Sequence, residues 1–126
     1  MNRLHQSVET GTLGELLVQI RLLEYGVQAS ASLKDSGNDL VALRGRVIKT
    51  IQVKTRTSTR FELDDLPEFY DFAALVHLCR KGNDLALDAS RIYLVPAERC
   101  AGQRCLYARH LDDFLLTPDL VARFFA

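Results

Sequence analysis

Residues 39–54, DLVALRGRVIKTIQVK, contain two segments rich in valine, isoleucine and leucine on either side of one glycine, Gly45. Glycine at the first central position of a tight turn between two such segments is typical of a β-hairpin. If Gly45 and the next residue form the turn, Asp39 lies directly opposite Gln52. Side chains alternate along a strand, so the sequence predicts that Asp39, Gln52 and Lys54 share one face at the open end of the hairpin.

This combination of side chains favours a metal site for phosphodiester chemistry. A carboxylate, an amide oxygen and an ammonium group are costly to bury unless they are paired or used. Mg²⁺ prefers oxygen ligands and usually takes one or two protein carboxylates, which makes Asp39 the expected main ligand. Gln52 and the main-chain carbonyl of Val53 would add neutral oxygens. Lys54 would orient or help deprotonate the attacking water and stabilise the charge that develops on the phosphate oxygens.

The segments around this hairpin predict an α/β arrangement. Over residues 12–25 apolar residues recur at helical spacing, and Gly26 follows in the position of a helix C-cap. The apolar stripe of this predicted helix consists of Leu13, Leu16, Leu17, Ile20 and Leu23. The further predicted elements are a strand at 27–33, a turn at 34–38, a second hairpin of strands at 73–78 and 91–95, and a final helix that begins near Thr117.

The composition is that of one ordinary domain over residues 1–126, with 48% apolar and 25% charged residues. Lys plus Arg and Asp plus Glu both total 16, so no field of the whole molecule attracts nucleic acid or a membrane. Three cysteines at spacings of no zinc or redox motif favour a reducing, cytoplasmic setting. No apolar run approaches the ~20 residues that span a bilayer, so we expect no membrane association.

One segment is strongly basic. Between Leu40 and Phe61 the chain has six basic residues and no acid, namely Arg44, Arg46, Lys49, Lys54, Arg56 and Arg60. Such a segment can neutralise the phosphates that flank a cleavage site. Arg56 and Arg60, just past Lys54, are the better candidates for DNA contacts. Lys49 and the turn residues Arg44 and Arg46 are further candidates, and the alternative for the turn residues is a solvated surface.

These residues together resemble a known family. Gly14-Glu15 lies on the first predicted helix, Ser36-Gly37-Asn38-Asp39 leads into a strand, and Gln52-Val53-Lys54 lies on the next strand. The pattern resembles the PD-(D/E)XK nuclease superfamily, in the variant with glutamine in place of the motif acid and here with Asn38 in place of proline. The order of elements is similar to small resolvase-like and homing-endonuclease-like members, over roughly residues 11–98.

The resemblance implies a restriction-endonuclease-like α/β fold, with a central mixed β-sheet flanked by helices in the order α-β-β-β-α-β. It implies active-site positions for Glu15, Asp39, Gln52 and Lys54, with Glu15 as a second metal ligand that acts partly through water. The implied activity is Mg²⁺-dependent cleavage of DNA, with Mn²⁺ able to substitute and no organic cofactor. Because Gln52 replaces an acid, weaker metal affinity or a single-metal site would follow.

Two further expectations concern partners and alternatives. Cutting both strands of a duplex with one compact site requires two copies, which predicts a homodimer or a higher even oligomer. The alternative function is a non-catalytic nucleic-acid-binding or assembly module that retains the nuclease fold, and Gln52 and the zero net charge leave it open. No residue of the sequence distinguishes DNA from RNA as the substrate.

Overall fold

The computed structural model describes residues 6–32 and 39–126. Helix α1 (Gln6–Glu24) precedes strands β1 (Gln28–Ala31), β2 (Leu40–Arg44), β3 (Val47–Arg56), β4 (Arg60–Glu62) and β5 (Phe72–His77). After them come β6 (Arg80–Lys81), β7 (Asp84–Leu85), β8 (Arg91–Pro96), α2 (Ala97–Cys100), β9 (Cys105–Tyr107), two 3₁₀ turns (Ala108–His110 and Asp112–Phe114) and α3 (Pro118–Phe124). Among the described residues no helix has the length and apolar character needed to cross a membrane.

The central sheet has five strands in the order β1-β2-β3-β5-β8. Only β3 and β5 are parallel, and the other neighbours are antiparallel, so the sheet is mixed as predicted. The predicted second hairpin is confirmed as the β5–β8 pair, with the small β6–β7 hairpin in its connection. Helices lie on the sheet faces, which confirms the predicted fold class.

The β2–β3 hairpin has the predicted register. Leu40 pairs with Ile51 and Arg44 pairs with Val47. Gly45 has a φ of 60°, a conformation that glycine adopts without steric cost and that this first turn position requires. The turn chemistry of one residue therefore sets which side chains of β3 face each way.

Alternate strand residues face two separate layers of core. On one face α1 and α3 cover β-strand residues that include Leu40, Ile51 and Val53. On the other face β4, β9 and the 3₁₀ turns cover β5 and β8, with Phe61 and Leu111 fully buried there. The sheet is thus covered on both sides over β5 and β8, which is why these two strands are apolar along most of their length.

The predicted order of elements was wrong at one place. A helix was expected between the third strand and the strand after it, and the structure has β4 and an irregular segment between β3 and β5 instead. Pro67 lies in that segment and lacks the N–H that a helix interior needs, and Asp65 has a positive φ of 56°. The crossover between the parallel strands β3 and β5 is therefore made by a strand and a loop.

The buried face of α1 also differs from the predicted stripe. Leu17, Val18 and Leu22 are buried against the sheet. Three residues of the predicted stripe lie on another face of the helix, with exposed fractions of 48% for Leu16, 50% for Ile20 and 63% for Leu23. Apolar residues surround much of this helix, so periodicity alone does not identify the face that meets the sheet.

Gly14 decides which face of α1 approaches β3. A Cβ atom at Gly14 would lie 1.8 Å from Thr55 Oγ1 and 2.8 Å from Thr55 Cβ, so only glycine allows this contact. The Thr55 hydroxyl is buried there without a hydrogen-bond partner among the described residues. The close approach places the next helical residue, Glu15, beside the open end of the hairpin.

We expect Gly14→Ala and Gly11→Ala, two substitutions in the same helix, to change stability in opposite directions. Gly14→Ala should lower the free energy of unfolding by about 1–3 kcal/mol, because the new methyl group overlaps Thr55. Gly11→Ala should raise it by about 1 kcal/mol, because that position has open space and alanine favours helix. Urea unfolding followed by circular dichroism measures both. Equal effects of the two substitutions would contradict the proposed contact.

Candidate active site

Asp39 directly precedes β2, at the open end of the β2–β3 hairpin. Its Oδ2 accepts a hydrogen bond of 2.8 Å from the Val53 main-chain N–H. The N–H and C=O of one strand residue point to the same neighbour, so the Val53 carbonyl also lies on the Asp39 side. The predicted turn at 34–38, with Ser36, Gly37 and Asn38, lies outside the described residues.

Gln52 on β3 is a polar residue with a buried side chain, of which only 8% is exposed. The β2–β3 register, carried one residue further, places it opposite Asp39 as predicted. Its Oε1 is buried and has no hydrogen-bond partner among residues 6–32 and 39–126. A buried oxygen without a donor is costly in a folded protein, and a bound cation or an ordered water would satisfy it.

Glu15 of α1 lies close enough to Asp39 for their charges to interact. Partial burial raises the pKa of its carboxyl group, and the negative charge of Asp39 raises it further. The Asp39 carboxylate lies in the plane of the sheet against the Val53 N–H, where a helix on one face of the sheet can approach it. The structure therefore brings two carboxylates from distant parts of the sequence close enough to repel each other.

Lys54 lies on the same face of β3 as Gln52, because side chains two residues apart along a strand point to the same side. It pairs with Leu75 of β5 and is partly exposed. In the described part of the chain its ammonium group has no ion-pair partner within 4.0 Å. The ammonium group is therefore available at the edge of the site.

The donor set is one that suits a hard divalent cation. Two carboxylates, one amide oxygen and one main-chain carbonyl offer only oxygen atoms, which Mg²⁺ prefers. No group of three or more His, Cys, Asp and Glu side chains that could hold a metal occurs among the described residues. The neutral member of the donor set, Gln52 Oε1, is buried without a hydrogen-bond partner among the described residues, and a cation could satisfy it.

Comparisons with known proteins identify the fold. No protein-family model and no curated protein matches the chain. Two solved structures have a TM-score of 0.62 to it: a bacterial homing endonuclease, 15% identical, and the Holliday junction resolvase Hjc of the hyperthermophilic archaeon Archaeoglobus fulgidus, 20% identical. The chain has the fold that this endonuclease and this resolvase share.

The nuclease fold extends over most of each chain compared. The match covers 82% of this chain and 75% of the homing endonuclease, and 88% of this chain and 98% of the resolvase. The predicted resemblance to resolvase-like and homing-endonuclease-like members is thereby confirmed at the level of the fold.

The basic candidates are dispersed over this nuclease fold. Arg56 follows Lys54 on β3, where its Nη2 lies 3.7 Å from Asp64 Oδ1 and its Nη1 donates to the Thr55 carbonyl at 2.9 Å. Arg60 is exposed at the start of β4. Arg56 and Arg60 thus lie along the chain directly past the site.

The other three basic candidates lie away from the site. Arg44 pairs with Val47, about 17 Å from Gln52 at 3.3 Å per residue of strand, and Arg46 lies beyond it in the hairpin turn. The Nη1 of Arg44 lies 3.5 Å from the Phe125 carbonyl. Lys49 is an odd number of residues from Gln52, so it faces the opposite side of the sheet. The structure does not bring these three side chains together with Asp39 and Gln52.

The raised pKa of Glu15 predicts a pH-dependent cost in stability. Because the folded state binds this proton more tightly than the unfolded state does, the contribution of Glu15 to stability falls as the pH rises from the ordinary value of 4.5 through the raised pKa. Glu15→Gln should therefore raise the melting temperature at pH 7. The gain should shrink as the pH is lowered towards 4.5. Melting curves of both proteins across this range measure the effect, and a gain that is equal at all pH values would contradict it.

Proposed function

We propose that this protein is a metal-dependent endodeoxyribonuclease that hydrolyses phosphodiester bonds of DNA, of the homing, restriction or resolvase type. Two observations carry the proposal: the Glu15 and Asp39 carboxylates lie close enough to repel, and the Gln52 oxygen, on the residue opposite Asp39, is buried without a hydrogen-bond partner among the described residues. Two repelling carboxylates and an unsatisfied oxygen raise the energy of the folded protein, and a divalent cation would relieve both costs. The similar structures, described as a homing endonuclease and a Holliday junction resolvase, support the same class of activity.

Asp39 and Glu15 are the proposed carboxylate ligands, Glu15 partly through water. The Gln52 amide oxygen and the Val53 carbonyl complete the protein ligands. Mg²⁺ is the proposed metal, with Mn²⁺ able to substitute, because each is a hard cation that accepts oxygen ligands. When bound, the metal supplies Lewis-acid activation of the phosphate and a lowered pKa of a bound water.

Lys54 is the proposed partner of the attacking water. Its ammonium group lies on the Gln52 side of β3 and is free of carboxylates among the described residues, so it can orient the water and donate to a phosphate oxygen as negative charge develops. Asp39 has a second role in this arrangement. Its hydrogen bond to the Val53 N–H fixes the carboxylate against the strand that presents Gln52 and Lys54.

Cleavage of DNA is the first test of the proposal. Purified protein is incubated with supercoiled plasmid and with a labelled branched duplex, in Mg²⁺, Mn²⁺ or EDTA. We expect metal-dependent nicking or cutting that Lys54→Ala slows by about 10²-fold or more. Asp39→Asn should abolish cleavage while it preserves the acceptor for the Val53 N–H.

Asp71→Asn is the matched control. Its Oδ2 accepts a hydrogen bond of 2.8 Å from the Thr50 N–H, the same type of contact with β3 as that of Asp39 but on the β5 side of the strand, two residues before Gln52. We expect this variant to cleave as the parent does, and Mn²⁺ to raise the melting temperature of the parent but not of Asp39→Asn. Salt-sensitive DNA binding without cleavage in either metal would instead support the non-catalytic binding module.

We also propose that two copies of this chain associate through α1 and β1. Leu16, Ile20 and Leu23 form an exposed apolar stripe, and with Ala29 of β1 they line a groove of about 280 Å³. Strand β1 is an edge strand of the central sheet, and its sequence QASA has no charge and no proline to block pairing. An uncharged edge can pair antiparallel with its own copy across a two-fold axis, which makes a second copy the fitting occupant.

Replacement of one exposed isoleucine by glutamate tests this association. Ile20→Glu places a charge in the apolar stripe and should convert a dimer to a monomer in size-exclusion chromatography with light scattering. Ile48→Glu is the control, because Ile48 is 64% exposed on β3 and lies outside this stripe. A monomeric parent protein, or a dimer that both substitutions leave intact, would contradict the proposed interface.

A further inference from the structure

A second, two-stranded sheet carries a row of polar side chains outside the site. Strands β4 and β9 pair antiparallel, with Arg60 opposite Tyr107 and Glu62 opposite Cys105. Between them Phe61 points inward and is fully buried in the core. Since side chains alternate, the residues on both sides of Phe61 face outward.

The 3₁₀ turn after β9 adds two more basic groups to this surface. The Arg109 guanidinium lies over the Tyr107 ring, 4.7 Å from its centroid. The His110 ring meets the same tyrosine edge-on at 6.4 Å. We call Arg60, Tyr107, Arg109 and His110 the basic ribbon surface. A guanidinium stacked on a ring keeps its N–H groups directed outward, where they can bind a phosphate.

The Glu62 carboxylate acts on Arg60 through its charge but forms no ion pair with it in the described part of the chain. Neither Arg60 nor Arg109 has a carboxylate within 4.0 Å there. Hydrogen bonds from Tyr107 and Arg60 lower the pKa of the Cys105 thiol, while the charge of Glu62 opposes that effect. The lowered pKa of the Cys105 thiol agrees with a positive Arg60 side chain beside it.

A short segment connects the basic ribbon surface to the proposed cleavage site. Strand β4 begins four residues after β3 ends, and the Ala108 N–H donates to the Thr59 carbonyl in the connection at 2.9 Å. Arg60 follows Lys54 by six residues, so the two Cα atoms are at most about 20 Å apart. A DNA strand has one phosphate per ~3.4 Å of helix axis, so one duplex can contact both.

We propose that the basic ribbon surface binds the phosphate backbone of DNA beside the cleaved bond. The assignment of the ligand as DNA depends on the proposed nuclease function. Arg60 and Arg109 contact phosphates, Tyr107 positions Arg109, and His110 packs edge-on against the same tyrosine. The contacts are to the backbone, so they strengthen binding without selecting a base sequence.

Binding of a labelled duplex in EDTA, followed by fluorescence anisotropy over a range of salt concentrations, tests this surface. Arg60→Ala and Arg109→Ala should each weaken binding several-fold and lower the slope of log K against log salt by about 1. Arg123→Ala is the matched control, because Arg123 also lies over a ring, that of Phe124 at 5.7 Å, but on α3. It should leave affinity and slope unchanged.

The outcomes separate this proposal from the nuclease function. Unchanged affinity in Arg109→Ala, or an equal loss in Arg123→Ala, overturns the basic ribbon surface even if the parent protein cuts DNA. Loss of binding in Arg109→Ala with no cleavage by the parent protein overturns the nuclease function and retains this surface. Circular dichroism melting of each variant identifies a loss that comes from unfolding.

Alkylation of Cys105 is a second readout. This thiol is hydrogen-bonded by Tyr107 and Arg60 and is partly exposed, so a duplex bound to the basic ribbon surface would cover it. Iodoacetamide labelling followed by mass spectrometry should show several-fold slower modification of Cys105 when the protein is saturated with duplex. An unchanged rate under saturation would place the DNA elsewhere and overturn the proposal.

Discussion

The hydrogen bond from the Val53 N–H to Asp39 Oδ2, 2.8 Å long, continues the β2–β3 ladder past its last main-chain pair. The register of that ladder determines which side chains meet at its open end. A slip of one residue would turn Gln52 and Lys54 to the face covered by α1 and would bring apolar side chains out in their place. The positive φ of Gly45 holds the turn that excludes this slip.

The approach of α1 to β3 adds a second carboxylate, that of Glu15, to the Asp39 carboxylate at the end of the hairpin. Without a side chain at Gly14 the helix lies against Thr55, and Glu15 comes near Asp39. The result has local costs, since two carboxylates repel and the oxygens of Gln52 and Thr55 are buried without partners among the described residues. Unpaired buried oxygens and like charges in contact lower the stability of a fold, and natural proteins keep such features mainly at functional sites.

The surface divides into regions of different character although the net charge of the chain is zero. The α1 face beside β1 is apolar and uncharged, which suits contact with a second copy. The basic ribbon surface on β4, β9 and the following turn carries two arginines, and one of them, Arg109, stacks on the Tyr107 ring. The Asp64 carboxylate beside Arg56 limits the positive charge between the site and that surface. Local placement of charge, and not its sum, therefore decides where a polyanion can bind.

The sequence by itself determined the β2–β3 hairpin, its register and the shared face of Asp39, Gln52 and Lys54, because turn chemistry and strand alternation act between near neighbours. Only the tertiary structure decided which face of α1 is buried, because apolar residues at Leu16, Ile20 and Leu23 obey the same period as those that meet the sheet. It also decided the pairing of β4 with β9, which joins segments more than forty residues apart. Such contacts depend on the packing of the whole chain, which no local pattern encodes.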